Sequence, residues 1–140
     1  MTAVLFIVSM SEYDQVLAED HTVNRMKESL KLFGDTANGI HLSKKPFIIF
    51  FNKRDLFEEK VRKKSIHCAF PDYDGEKHSI LESSDFIVEK YLSQREDDKH
   101  EERPMYPHLV TATDTQLVKF VFTGVAEIIL NDILKETGLN

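Results

Sequence analysis

Three short apolar runs alternate with segments of helical period along this chain of 140 residues. The runs cover residues 3–8, 46–51 and 106–110, and runs of this length and composition are typical of buried strands. Strands that alternate with helices form βαβ units, which place the strands parallel in one sheet. The pattern therefore predicts an α/β fold with three parallel strands and flanking helices.

Apolar residues spaced three and four apart predict the helices. The first is expected to end at Gly34 and Asn38-Gly39, and its apolar face carries Val23, Met26, Leu30 and Phe33. A short charged helix is expected near residues 57–64 and another near 80–92. A long helix is expected from Gln116 to Leu134, because an apolar stripe follows the polar residues Asp114 and Thr115.

The composition indicates one folded domain, residues 1–140, without a nucleic-acid partner. Apolar residues make up 41% of the chain and charged residues 30%, which is typical of a globular protein rather than a disordered one. The net charge is -6, whereas phosphate backbones require a basic surface. The basic cluster at residues 60–64 directly follows Glu58 and Glu59, so we interpret it as a solvated helix face.

Cysteine and histidine usage predicts neither a disulfide nor a metal site. Cys68 is the single cysteine and has no disulfide partner within the chain, which suits a reducing, cytoplasmic compartment. The six histidines show no metal-ligand spacing, so no metal site is predicted. The run at 3–8 is too short to cross a membrane, and no membrane anchor is expected.

A polar motif, Asn52-Lys53-Arg54-Asp55, follows the second apolar run, where open α/β sheets bind ligands. An aspartate there can accept hydrogen bonds from both N1–H and the exocyclic amine of guanine, whereas adenine has no such donor pair. The stem of Lys53 can cover the purine, and Asn52 can connect neighbouring loops. A polar loop without a ligand is the alternative for this motif taken by itself.

A second candidate loop follows the third apolar run and reads Val110-Thr111-Ala112-Thr113. A small residue such as Ala112 lets backbone N–H groups approach a base closely. Two such loops at the ends of adjacent strands are much harder to obtain by accident than either loop alone. Together they indicate a purine-binding edge of the sheet.

At these two motifs the sequence resembles the α subunits of heterotrimeric G proteins. Residues 52–55 resemble the fourth guanine-nucleotide motif of GTPases and residues 111–113 the fifth, and the similarity extends over residues 2–139. It includes residues 9–14 and 24–33. The resemblance implies part of a Ras-like GTPase domain, with a guanine site formed by Asn52, Lys53, Asp55, Ala112 and Thr113.

The sequence also departs from the family pattern. The fifth motif usually reads Thr-Cys-Ala-Thr, but here Val110 and Thr111 replace its first two members. Thr137 stands where many members have cysteine. The 140 residues contain no G-x-x-x-x-G-K-[ST] loop and no D-x-x-G-Q segment. We therefore expect an incomplete domain, without phosphate loop, helical domain, magnesium ligands or catalytic residues.

The resemblance implies a guanine-nucleotide-binding signal transducer that acts downstream of G-protein-coupled receptors. Its ligand would be GTP or GDP, of which this chain would hold the guanine part, with Mg²⁺ expected in the full-length family. Gβγ and effectors would be further partners, at the cytoplasmic face of the plasma membrane. The residues implied in receptor contact are Leu134, Gly138, Leu139 and Asn140. The alternative is a non-catalytic binding module, or a truncated product, that competes for the receptor through its C-terminal helix.

Overall fold

Three strands form one parallel sheet in the computed structural model of the chain. The structure describes residues 4–39, 45–95 and 105–111, together with residues 116, 119 and 123. The strands are paired in the order β1-β2-β3, with bounds Val4–Ser9, Phe47–Asn52 and Met105–Leu109. The predicted α/β fold with three parallel strands is confirmed.

The strand bounds differ by one residue from those predicted. Pro46 precedes β2 because proline has no N–H to donate to the ladder, although its carbonyl accepts a hydrogen bond from the Val4 N–H at 2.9 Å. Pro107 does lie within a strand, opposite Ile49. This position is compatible with proline because β3 is an edge strand of the described sheet.

The central strand β2 is buried along its whole length. Its alternate side chains Phe47, Ile49 and Phe51 face the main core, while Ile48 and Phe50 form a smaller apolar cluster on the opposite face. Burial on both faces explains why this strand is a continuous apolar run rather than an alternating one. It also fixes the position of Asn52 at the end of the strand.

Three helices pack against the main core. Their bounds are Arg25–Ala37 for α1, Arg54–Val61 for α2 and Ile80–Leu92 for α3. Short 3-10 helices occur at Met10–Asp14 and Ile66–Cys68. The side chains of Asn24 and Ser79 cap α1 and α3, accepting hydrogen bonds from the N–H groups of Lys27 and Glu82 at 3.1 Å.

Two helix bounds differ from the predictions. Gly34 does not end α1, which continues to Ala37 and ends at the other predicted stop, Asn38-Gly39, with Asn38 as its C-cap. Instead it allows close packing on the end of α3, since a Cβ at Gly34 would lie 3.0 Å from the Gln94 side-chain oxygen. Helix α2 begins directly after Lys53, three residues before the expected start, and ends at Val61.

The predicted helix from Gln116 to Leu134 lies mostly outside the described residues. Gln116, Lys119 and Thr123 are helical and exposed. Their spacing of three and four places them on one face of a helix. The Thr123 hydroxyl donates a 3.0 Å hydrogen bond to the carbonyl of Lys119. The predicted apolar stripe from Leu117 to Ile133 lies outside the description.

Candidate functional site

The candidate site lies where the chain leaves β2 and enters α2. Asn52 is the last residue of β2, is paired in register with Ser9 of β1, and is only 6% exposed. Lys53 and Asp55 are both exposed. A single turn thus joins a fixed, buried strand end to two accessible charged side chains.

This turn depends on an unusual backbone conformation of Lys53. Its φ of 64° and ψ of 36° lie in the left-handed region, and among the non-glycine residues that the structure describes only Lys53 has a positive φ. A non-glycine residue in that region costs about 1–3 kcal/mol, and such residues concentrate at functional sites. The strain at Lys53 is therefore independent support for a functional role of the N-K-x-D loop.

Hydrogen bonds join this loop to the segment that follows β3. The Val110 N–H donates to the carbonyl of Phe51 at 2.9 Å, and the Arg54 N–H donates to the carbonyl of Val110 at 3.2 Å. The Asp55 N–H donates to the Thr111 hydroxyl oxygen at 3.1 Å. The structure thus brings Thr111, the first residue of the second predicted motif, next to the N-K-x-D loop, although Asp55 and Thr111 are 56 residues apart in sequence.

The carboxylate of Asp55 is available to a ligand. Asp55 lies in the first turn of α2, where the positive end of the helix dipole stabilises a negative charge. Within the described part of the chain its carboxylate forms no ion pair. The neighbouring Arg54 is instead paired with Glu58, one helical turn later, at 3.1 Å.

The sequence-predicted site residues are only partly covered by the structure. Asn52, Lys53 and Asp55 lie together at the end of β2. Ala112 and Thr113 lie outside the described residues, as do all four predicted receptor contacts, Leu134, Gly138, Leu139 and Asn140. The contributions of Val110 and Thr111 to the loop contact were not predicted, because no local sequence signal connects a threonine to an N–H group so distant in sequence.

A cleft of about 420 Å³ lies beside this site, between α2, α3 and the end of β3. Arg54 and Leu109 connect it to the candidate site, since each neighbours a residue of the loop contact. Its lining residues are Arg54, Phe57, Glu58, Ile80, Leu81, Ser84, Asp85 and Leu109. Its lining combines apolar and charged side chains.

Neither a metal cluster nor a membrane-spanning helix is found in the described ranges. In them, no group of three or more His, Cys, Asp or Glu side chains is arranged to hold a metal ion. The helices at 25–37, 54–61 and 80–92 are likewise too short or too polar to cross a bilayer.

Comparison with known proteins identifies the family. The sequence matches the G-protein alpha subunit family over residues 1–129. It is 42% identical over 139 residues to the guanine nucleotide-binding protein G(o) subunit alpha of Lymnaea stagnalis and to that of Caenorhabditis elegans, which covers 99% of this chain and 38% of each relative. The alpha-7 subunit of Dictyostelium discoideum is 42% identical over the same length, covering 99% of this chain and 35% of that protein.

A parallel α/β sheet with an N-K-x-D loop at the carboxyl end of its central strand is part of a Ras-like GTPase domain. The chain belongs to the G-protein alpha subunit family. The resemblance found at residues 52–55 and 111–113 is thereby confirmed. The chain spans only 35–38% of the length of these curated relatives.

Proposed function

We propose that this chain supplies the guanine-recognising part of a G-protein alpha subunit, and that the whole protein is a guanine-nucleotide-binding signal transducer. The observation that carries the proposal is the contact between the two loops, in which Asp55 and Thr111 are joined by a hydrogen bond. This contact supports the proposal because it joins Thr111, the first residue of the second motif, to the N-K-x-D loop at the edge of the sheet where open α/β folds bind their ligands.

Base selection follows from the chemistry of Asp55. A carboxylate accepts but cannot donate hydrogen bonds, and it has two oxygens for the adjacent N1–H and amine of guanine. Hydrogen bonds to a charged group contribute roughly 1.5–3 kcal/mol each, so a base that lacks these donors is strongly disfavoured. Lys53 would cover the purine with its alkyl stem, and the backbone at Ala112 and Thr113 would contact the opposite edge of the base.

The remaining functions of the whole protein are also proposals. As an alpha subunit it would act downstream of a G-protein-coupled receptor at the cytoplasmic face of the plasma membrane, with Gβγ and effectors as partners. Leu134, Gly138, Leu139 and Asn140 would contact the receptor. Binding of the phosphates and of Mg²⁺, and the hydrolysis of GTP, are assigned to no residue of this sequence.

Substitution of Asp55, the residue proposed to recognise guanine, tests the proposed function. Asp55→Asn should weaken the binding of GMP and strengthen the binding of xanthosine monophosphate, because the xanthine 2-carbonyl can accept a hydrogen bond from the new amide. Both affinities can be measured by nuclear magnetic resonance titration of the ¹⁵N-labelled chain at millimolar nucleotide.

The matched control is Asp35→Asn, which changes an exposed aspartate on α1. This control should retain the wild-type preference for GMP. If the Asp55→Asn variant kept the preference for GMP, or lost affinity for both nucleotides equally, the proposed role of Asp55 in guanine recognition would be contradicted.

A further inference from the structure

The cleft between α2 and α3 takes no part in the proposed recognition of guanine. Residues three and four apart lie on one face of a helix. The α2 wall of the cleft has this spacing and consists of Arg54, Phe57 and Glu58. The α3 wall has the same spacing and includes Leu81, Ser84 and Asp85. The cleft is therefore a groove between one face of each helix.

The cleft presents apolar surface to the outside. Leu81 is 70% exposed, more than any other large apolar side chain that the structure describes. Phe57 is fully buried in the main core, and Ile80 and Leu109 pack against that core. The volume of about 420 Å³ is within the range of protein sites that hold a ligand. The cleft can thus take up apolar side chains from a partner.

The polar residues of the α3 wall differ in their availability. Ser84 is 6% exposed, and its hydroxyl donates a 3.0 Å hydrogen bond to the Leu81 carbonyl of its own helix. Asp85 is exposed, and its carboxylate forms no ion pair with the residues that the structure describes. The carboxylate of Asp85 is therefore the polar group of this wall that a partner can reach.

The charges on the two helices favour a basic partner. Together α2 and α3 carry six carboxylates and three basic side chains. Each basic side chain is already paired with a carboxylate, in the pairs Arg54–Glu58, Lys60–Asp14 and Lys90–Asp72. The helices around the cleft therefore retain negative charge, which attracts a cation. It also repels a second copy of this chain, whose net charge is -6.

We propose that this cleft docks a basic, amphipathic helical segment of a partner protein. Amphipathic helices bind by laying their apolar face into an apolar groove. An apolar side chain of the partner enters the cleft against Leu81, and an arginine or lysine one helical turn away pairs with Asp85. This docking site is separate from the base site and goes beyond the proposed function.

Titration of the ¹⁵N-labelled 140-residue chain with two peptides tests the inference by nuclear magnetic resonance. The first is a short alanine-based helical peptide with leucines on one face and an arginine one turn after each leucine. The second has glutamate in place of each arginine. The arginine peptide should shift the amide signals of Leu81 and Asp85 most strongly. The glutamate peptide should bind about tenfold more weakly.

Matched variants identify the two proposed contacts. Leu81→Ala should weaken the binding of the arginine peptide about tenfold, because it removes the exposed apolar surface. Asp85→Asn should weaken it about threefold, and Asp85→Arg should reverse the preference between the two peptides. Leu32→Ala and Asp35→Asn make the same changes at exposed positions of α1 and should leave the affinity unchanged.

Three outcomes would overturn the inference. The first is equal affinity for both peptides, or wild-type affinity in the Leu81→Ala and Asp85→Asn variants. The second is the absence of shifts at Leu81 and Asp85 with millimolar arginine peptide. The third is self-association of the chain in sedimentation that Leu81→Ala abolishes, since a second copy would then occupy the cleft. None of these results depends on nucleotide, so they leave the role of Asp55 to its own test.

Discussion

At the scale of single residues, the site is shaped by the backbone of Lys53. The left-handed conformation turns the chain from β2 into α2 within one residue. It is maintained because both sides are held: Asn52 is buried and paired with β1, and Arg54 and Asp55 donate hydrogen bonds to the segment after β3. The surrounding structure thus compensates the local strain.

Glycine and alanine at this position separate backbone strain from side-chain function. Lys53→Gly relieves the strain, whereas Lys53→Ala keeps it, and both remove the alkyl stem proposed to cover the base. We expect the glycine variant to be more stable than the alanine variant by about 1 kcal/mol in urea unfolding. Both variants should lower the affinity for GMP to a similar extent. Greater stability of the alanine variant would contradict the described conformation.

A second prediction at this scale concerns Tyr91. Its hydroxyl donates to the Ser29 hydroxyl at 2.9 Å, and burial raises the pKa of Tyr91 to about 12, above its ordinary value of 10.0. The folded state favours the neutral phenol of Tyr91. The contribution of Tyr91 to the free energy of unfolding is therefore complete below pH 10 and is lost as the pH rises from 10 to 12. The expected loss of unfolding free energy is about 2–3 kcal/mol.

Urea unfolding at pH 8 and pH 11 measures about half of this loss, because pH 11 lies midway between the ordinary pKa and the folded-state pKa of about 12. Burial and the neighbouring Asp14 and Cys68 also raise the pKa of Tyr13, so part of the alkaline instability has a separate origin. Tyr91→Phe isolates the contribution of Tyr91, because a phenylalanine cannot ionise. The stability of the Tyr91→Phe variant should fall less between the two pH values than that of the wild type. An equal fall would exclude Tyr91 as a source of the alkaline loss of stability.

At the scale of secondary-structure elements, contacts along α2 hold the helix that carries Asp55. Helix α2 is held from several directions. The Lys60 ammonium donates to the Ser11 carbonyl and is paired with Asp14, both at 2.7 Å, and the Tyr13 hydroxyl donates to the Lys64 carbonyl at 2.7 Å. These contacts attach α2 to the 3-10 helix Met10–Asp14, which directly follows β1. The start of α2, with Asp55, is therefore fixed relative to the sheet.

Helix α1 offers two neighbouring apolar residues with opposite environments. Phe33 is fully buried, and its ring packs edge-on against Phe6, Phe47 and Tyr91 at 5.0–5.7 Å between centroids. Leu32 is 58% exposed. We expect Phe33→Ala to lower the free energy of unfolding by about 3–5 kcal/mol, because it removes buried area and leaves a cavity.

Leu32→Ala is the control and should change stability by no more than about 0.5 kcal/mol. Both values can be obtained from urea denaturation followed by circular dichroism. Equal effects of the two substitutions would contradict the assignment of the buried face of α1.

At the scale of the whole molecule, the sequence carries the motifs of the proposed base site but no phosphate-binding motif. The sequence contains no phosphate loop, and its net charge of -6 does not attract anions. The 140-residue chain should therefore bind GMP, GDP and GTP with similar, millimolar dissociation constants, equivalent to about -4 kcal/mol. It should not hydrolyse GTP.

Titration with the three nucleotides and a phosphate-release assay test this expectation on one preparation of protein. AMP and ATP serve as controls for binding that does not depend on guanine. A much lower dissociation constant for GDP than for GMP, or GTP turnover above the uncatalysed rate, would show that other residues of this chain bind the phosphates.

Much of the fold was determined by the sequence alone. The spacing of apolar residues predicted the three strands to within one residue and predicted both ends of α3. This was possible because buried strands and amphipathic helices have regular apolar patterns. The motif at residues 52–55 and its position after a strand identified one half of the candidate site. These features are local, so they can be found without knowing which segments meet.

Contacts between distant segments required the tertiary structure. The start of α2 was expected three residues too late, since its first N–H groups are satisfied by Val110 and Thr111 rather than by a neighbouring cap. Gly34 was expected to end α1, whereas the close approach of Gln94 explains why glycine occurs within that helix. The left-handed Lys53 is held by the same cross-loop bonds. In each case the energy that decides the local structure comes from residues far away in sequence, which a local pattern cannot record.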